Sequence, residues 1–185
     1  MKRYKTVYSR FEVKTAILQL ANKVYSLIEN RGAENCVYLT VLEGGAFLSH
    51  RILDKLAPDM LMELVTKSIK VSSYSGDKQG ELVYDYLPEV DCKGKTVIIV
   101  DDFCDSGSTT RNLEKIYLDR FEAKEVIFVT LLARTGRKLN PDTQLIYGIE
   151  DNSNLFFVGC GLDDDGKARF ADSIMAIQVD EEQKG

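Results

Sequence analysis

Val97 to Thr110 reads VIIVDDFCDSGSTT, and this stretch decides the fold. Val97 to Val100 is a continuous apolar run, the pattern of a strand buried on both faces of a parallel sheet. Asp101 and Asp102 stand at its carboxyl end, where open α/β sheets bind ligands. Asp105 follows, then Ser106-Gly107-Ser108-Thr109, placed so that Ser108 or Thr109 can cap a helix starting near Thr110. Backbone N–H groups at such a turn favour a phosphate. A phosphorylated sugar uses all of this, with its phosphate on the small-residue turn and its hydroxyls on the acids. An ordinary strand–turn–helix junction with polar residues kept for solubility is the alternative.

The 185 residues fit a single domain, 1–185, with a substantial core. A content of 44% hydrophobic and 29% charged residues is that of a soluble globular chain. The net charge of −5, with no long Lys/Arg tract, gives no support to nucleic-acid binding. It leaves an anionic substrate open, because local N–H groups, Arg and a metal outweigh global charge. MKRYKTVYSRFEVK at the start lacks the apolar core of a signal peptide, and no segment approaches a membrane span. Cys36, Cys92, Cys104 and Cys160 are scattered, without a CxxC or Cys/His spacing, which points to a reducing cytoplasm. His50, the only histidine, falls in a helical stretch and reads as structural.

Phe11–Asn30 has helical spacing, with Gly32 as its stop signal. Cys36–Val41 reads as a buried strand broken by Gly44-Gly45, and Phe47–Leu56 as a helix closed by Pro58. Leu61–Ser72 alternates like an edge or crossover strand. Ser73–Lys93 is a polar interval, read as a mobile loop that holds a strand or hairpin at Glu81–Tyr86. Thr96–Val100 is the central strand, Thr110–Phe121 the following helix and Glu125–Leu132 another buried strand. Gln144–Ile149, Phe156–Gly159 and Ile174–Val179 complete the set as short strands. Alternating β and α elements predict an α/β fold, a mostly parallel twisted sheet with helices on both faces.

Leu42-Glu43-Gly44-Gly45 repeats the opening logic of strand end, glycines and helix start. Alone it reads as a tight turn. Phe156-Phe157-Val158-Gly159-Cys160-Gly161-Leu162-Asp163, followed by Arg169, forms a third cluster. Alone, its phenylalanines read as core and its Asp163-Asp164-Asp165 as a solvated turn. Arg134 ends the Glu125 strand, and Ser73-Tyr74 opens the polar interval. A surface arginine near Arg137 and Lys138 is the alternative reading of Arg134.

Together these segments, from about Val37 to about Val179, resemble the type I phosphoribosyltransferases, most closely the hypoxanthine(-guanine) enzymes. The resemblance implies a small base-recognition hood and a flexible loop beginning at Ser73-Tyr74 that closes over phosphoribosyl diphosphate (PRPP). It implies Asp101 and Asp102 on the ribose hydroxyls, directly or through Mg²⁺, and Ser106, Gly107, Ser108 and Thr109 around the 5′-phosphate. Asp105 is then the general base or acid at the purine N7. Leu42, Glu43, Gly44 and Arg169 line the pyrophosphate, with a cis peptide before Glu43, and Asp163 approaches the Mg²⁺. Phe156 stacks on the purine, Phe157 offers backbone hydrogen bonds and Arg134 donates to its six-position oxygen.

Two departures stand out: the family commonly has Lys at the positions of Glu43 and Arg134, and Arg is not interchangeable with Lys. The implied reaction moves ribose 5-phosphate from PRPP to hypoxanthine or guanine in purine salvage. Small-molecule substrates, no nucleic acid, no membrane and a homo-oligomer accompany that reading. A transferase for xanthine or another base is the first alternative. The second is a regulatory PRPP sensor without turnover, since pyrimidine-operon attenuators with this fold bind RNA.

Overall fold

The computed structural model describes residues 3–73, 82–135 and 143–178. In chain order these form β1 (Arg3–Tyr8), α1 (Arg10–Arg31), β2 (Cys36–Leu42), α2 (Ala46–Leu53), α3 (Pro58–Glu63), β3 (Val65–Ser73) and β4 (Leu82–Tyr86). Then come β5 (Thr96–Cys104), α4 (Ser108–Lys115), β6 (Glu125–Ala133), β7 (Gln144–Glu150), β8 (Phe157–Val158) and β9 (Ile174–Gln178). Tyr74 and Val179, read above as loop and strand residues, lie outside the described residues.

Six strands form the main sheet in the order β4-β3-β2-β5-β6-β7. All its pairings are parallel except β3 with β4. The apolar runs of β2, β5 and β6 divide between two cores by alternation. Tyr38, Ile98, Val100, Ile127 and Val129 pack under α1 and α2. Val37, Leu39, Val97, Ile99 and Phe128 pack under Leu113 of α4 and Tyr117. Helices therefore cover both faces, and the acid-bearing end of β5 lies between strands on either side. A second, antiparallel sheet of order β1-β9-β8 forms the hood.

Several boundaries differ from the sequence reading. Phe47–Leu56 does not run on to Pro58: α2 ends at Leu53, and Pro58 instead opens α3 from its first turn, where its missing N–H costs nothing. Leu61–Glu63 is thus helical, and the strand begins only at Val65. The Thr110–Phe121 helix starts earlier, at Ser108, and continues beyond Lys115 as a π turn over Ile116–Arg120. Phe156 and Gly159 fall outside β8. β1 had no sequence signal: its partner β9 lies at the far end of the chain, pairing Arg3 with Gln178.

The edge of the sheet remote from the acids is tied by Glu125. Its carboxylate accepts from Arg31 Nε at 2.6 Å, Arg31 NH2 at 3.2 Å, Thr96 Oγ1 at 2.7 Å and Gln144 Nε2 at 3.3 Å. The Arg31 hydrogen bonds pull its pKa from 4.5 down to about 2, against the opposing effect of burial. A depressed folded-state value stabilises the fold above the unfolded pKa, and that contribution disappears as pH falls from about 4.5 toward about 2. Glu125→Gln is expected to cost about 1–2 kcal/mol at neutral pH, a figure discounted for solvent reach. Denaturant titrations of both proteins should converge near the acid end of that window; an undiminished difference there contradicts the assignment.

Candidate active site

The register of β5 against β2 and β6 places the predicted acids at one edge of the sheet. Asp101 pairs across from Thr130, and Cys104 from Ala133. Asp101 Oδ1 accepts the Asp102 N–H at 2.9 Å. Burial, reinforced by the neighbouring Asp102 charge, pushes the Asp101 carboxyl well above the usual range. Asp102 is also raised by burial, with the Asp101 hydrogen bond, the Phe103 N–H and Arg169 pulling it back. Two crowded carboxyls short of positive charge are what a cation relieves.

Below them, the turn into α4 departs from expectation in its cap. Neither Ser108 nor Thr109 caps the helix; Gly107 does, with φ of 71° in the left-handed region, where a residue without Cβ fits without strain. The first-turn amides of α4 have no intrahelical acceptor and open onto the loop. Asp101, Asp105, Ser106, Gly107, Ser108 and Thr109 share the lining of one cavity of about 100 Å³ here. Cys104 Sγ and Thr110 Oγ1 meet at 3.4 Å behind the turn.

On the other side of Asp101 lies a cavity of about 240 Å³ lined by Leu42, Gly44, Asp102, Thr109 and Arg169. The Leu42–Glu43 peptide is cis, in line with the resemblance. Gly44, Asp102 and Gly161 are packed so closely that a Cβ on Gly44 would strike Asp102 Oδ2, and one on Gly161 would strike the Gly44 carbonyl. Arg169 anchors this junction, donating to the Gly161 carbonyl at 2.9 Å and to Asp163 Oδ1 at 2.7 Å. The same Arg169 nitrogen faces Glu43 at 3.7 Å. Glu43, at the position where the resemblance leads one to expect Lys, is thus an exposed acid drawn toward Arg169.

Asp163 also accepts the Gly166 N–H at 2.6 Å. The Asp163–Asp165 turn is not uniformly solvated: Asp164 is buried and accepts from Tyr4 Oη at 3.1 Å. Among the described residues no three His, Cys, Asp or Glu side chains gather as a metal cage. Mg²⁺ takes one or two carboxylates and completes its shell with water and substrate phosphate oxygens, and the crowded Asp101 and Asp102 are two such groups.

Arg134 is not a surface residue. Its side chain is 7% exposed, with NH1 donating to Asp105 Oδ1 at 2.7 Å and NH2 to the Leu155 carbonyl at 2.6 Å. Phe157 is buried, while Phe156 next to it is 58% exposed. Phe103 was missed by sequence reasoning; it meets Phe157 edge-on at 6.2 Å and faces Arg134. Its signal was the alternation along β5 that carries Asp101 and Phe103 to one side. Ser73 ends β3, where the polar interval begins. His50 sits on α2, exposed, and lines none of these cavities. A larger cavity of about 470 Å³, between α1 and α2, contains none of the predicted site residues.

Residues 8–165 match the family model described as the phosphoribosyl transferase domain. The chain belongs to that family. It is thus a phosphoribosyltransferase, a pentosyltransferase by reaction class. Hypoxanthine phosphoribosyltransferase of Escherichia coli is 27% identical over 154 residues, covering 82% of this chain and 83% of that protein. The bifunctional protein PyrR of Citrifermentans bemidjiense is also 27% identical, over 133 residues, with coverage of 69% and 73%. Among solved structures, a hypoxanthine-guanine phosphoribosyltransferase from Bacillus anthracis aligns with a TM-score of 0.77 at 25% identity, covering 95% of this chain and 99% of that one. The Trypanosoma cruzi hypoxanthine enzyme in complex with IMP has a TM-score of 0.79 at 23% identity, over 94% of each chain; this likeness concerns the fold.

Proposed function

We propose that this phosphoribosyltransferase moves the ribose 5-phosphate group of PRPP to hypoxanthine or guanine, releasing pyrophosphate with inversion at the anomeric carbon. The observation that carries this reading is the meeting of three segments around Asp101–Asp105. They are the small-residue turn before α4, the glycine loop after β2 and the hood segment that brings Gly161 and Arg169. Each supplies what one part of the two substrates needs.

The turn at Ser106, Gly107, Ser108 and Thr109 holds the 5′-phosphate with backbone amides and hydroxyls. Asp101 and Asp102 accept from the ribose hydroxyls and are the carboxylates that would hold Mg²⁺, with Asp163 on the hood as a more distant candidate. Bound there, Mg²⁺ would neutralise charge on the departing pyrophosphate. Leu42, Glu43 and Gly44, through their backbone, and Arg169, through its guanidinium, hold that group in place. Phe156 presents an open ring face for the base, and Phe157 its backbone. Asp105 takes up or shares the N7 proton as the base nitrogen forms its bond to carbon.

The same reading treats 1–185 as one domain, and four buried free cysteines fit a reducing cytoplasm. No described helix is long and apolar enough to cross a membrane. A homo-oligomer is proposed from the resemblance alone. The relatives named PyrR, at similar identity, favour a second reading in which the chain binds PRPP as a regulator. Pyrophosphate release measured with PRPP, Mg²⁺ and a panel of purine and pyrimidine bases separates the two. Release with hypoxanthine or guanine supports transfer to a purine; absence of release with every base supports the regulator, and one dominant other base renames the acceptor.

A further inference from the structure

The surroundings of Arg134 go beyond base contact. Its guanidinium carbon lies 5.0 Å from the Phe103 ring centroid and 5.6 Å from that of Phe157. Its backbone N–H donates to the Cys104 carbonyl at 2.9 Å, fixing the end of β6 against the end of β5. Both terminal nitrogens already make a bond within the protein, one to Asp105 and one to the Leu155 carbonyl. Nε is buried and makes no hydrogen bond. A charge this deep persists only when it is paired, and here its two partners come from different parts of the fold. Asp105 belongs to the turn after β5; Leu155 belongs to the segment entering the hood and immediately precedes Phe156.

We infer that Arg134 is a positioning residue that clamps Asp105 to the hood, holding the proton-handling carboxylate and the exposed Phe156 ring at a fixed separation. The guanidinium is suited to this because it is a rigid planar fork: with one arm on Asp105 and the other on Leu155, it sets the distance between them. The two phenyl rings hold it through cation–π contact. An ammonium on a flexible stem offers no such fixed span. The spacing between Asp105 and the Leu155-Phe156 segment is therefore set from inside the protein.

This inference rests on the phosphoribosyl-transfer reading, and the experiment keeps the two apart. Initial rates of pyrophosphate release are measured for the wild type, Arg134→Lys and Phe157→Leu, varying the base and PRPP separately. Arg134→Lys is expected to raise KM for every base that the wild type accepts by about tenfold and to lower kcat, with KM for PRPP within about twofold. Should Arg134→Lys fail to fold, Phe157→Leu carries the test, because it loosens the clamp while keeping both of its hydrogen-bond partners. Its base KM is expected to rise about threefold with PRPP unaffected. An unchanged base KM in the folded variants overturns the clamp. So does a loss confined to bases with an oxygen at position six, which assigns Arg134 to direct contact. No base-dependent release by the wild type overturns the transfer reading, and the clamp with it.

Discussion

Asp105→Asn is expected to cut purine turnover by about 10²–10⁴-fold while leaving KM for PRPP within about threefold. Asn has the same size and retains an oxygen that can accept from Arg134 NH1, now 2.7 Å from Asp105 Oδ1. The substitution removes the carboxylate's ability to take a proton and leaves the phosphate turn intact. Asp105 is 43% exposed at its side chain, so it is reachable by a bound base and is not a core residue. Steady-state rates with the two substrates varied separately make the check. Turnover at the wild-type level removes Asp105 from proton transfer, and an equal loss in PRPP binding makes it a donor-site residue instead.

Gly161→Ala should disrupt both the fold and the pyrophosphate site. Gly161 has φ of 113°, and a Cβ there would strike the Gly44 carbonyl and lie 2.8 Å from the Asp102 Cβ. These are a backbone atom and the base of a side chain, so neither can swing aside. The backbone penalty and the clash together are expected to cost about 2–4 kcal/mol and to raise KM for PRPP by tenfold or more. Gly166→Ala is the control. It too has a positive φ, of 76°, but an added Cβ meets nothing within 4 Å, so only the backbone cost of about 1 kcal/mol remains. Thermal melts of the two variants give the comparison. Equal destabilisation would mean that the hood does not press on the glycine loop as described.

What could be read from the sequence was what is local. The apolar runs of β2, β5 and β6 and the 3.6-residue spacing of α1 are periodic signals, and each is realised within a few residues. The acid cluster was legible because strand, acids and small-residue turn follow one another along the chain. What escaped was short or distant. α3 is six residues long, too short for a helical spacing to repeat, and its Pro58 gave a helix-stop signal that in fact opened a helix. β1 depends on β9 for its hydrogen bonds, and no nearby residue announces that pairing. The same holds in the site. Arg134 could be named from its place at a strand end, but its pairing with Asp105, 29 residues earlier, exists only because β5 and β6 lie side by side. Glu43 likewise gains its meaning from Arg169, which reaches it from the hood.

The central claim is that Asp101–Thr109 holds PRPP for transfer to a purine at Asp105. Its most direct test is a time course of wild-type protein with PRPP, Mg²⁺ and hypoxanthine, following nucleoside monophosphate and pyrophosphate in the same samples. The account predicts that the two appear together, one for one, and only when the base is present. PRPP bound but unconsumed with every base, or pyrophosphate formed at the same rate without a base, would contradict it.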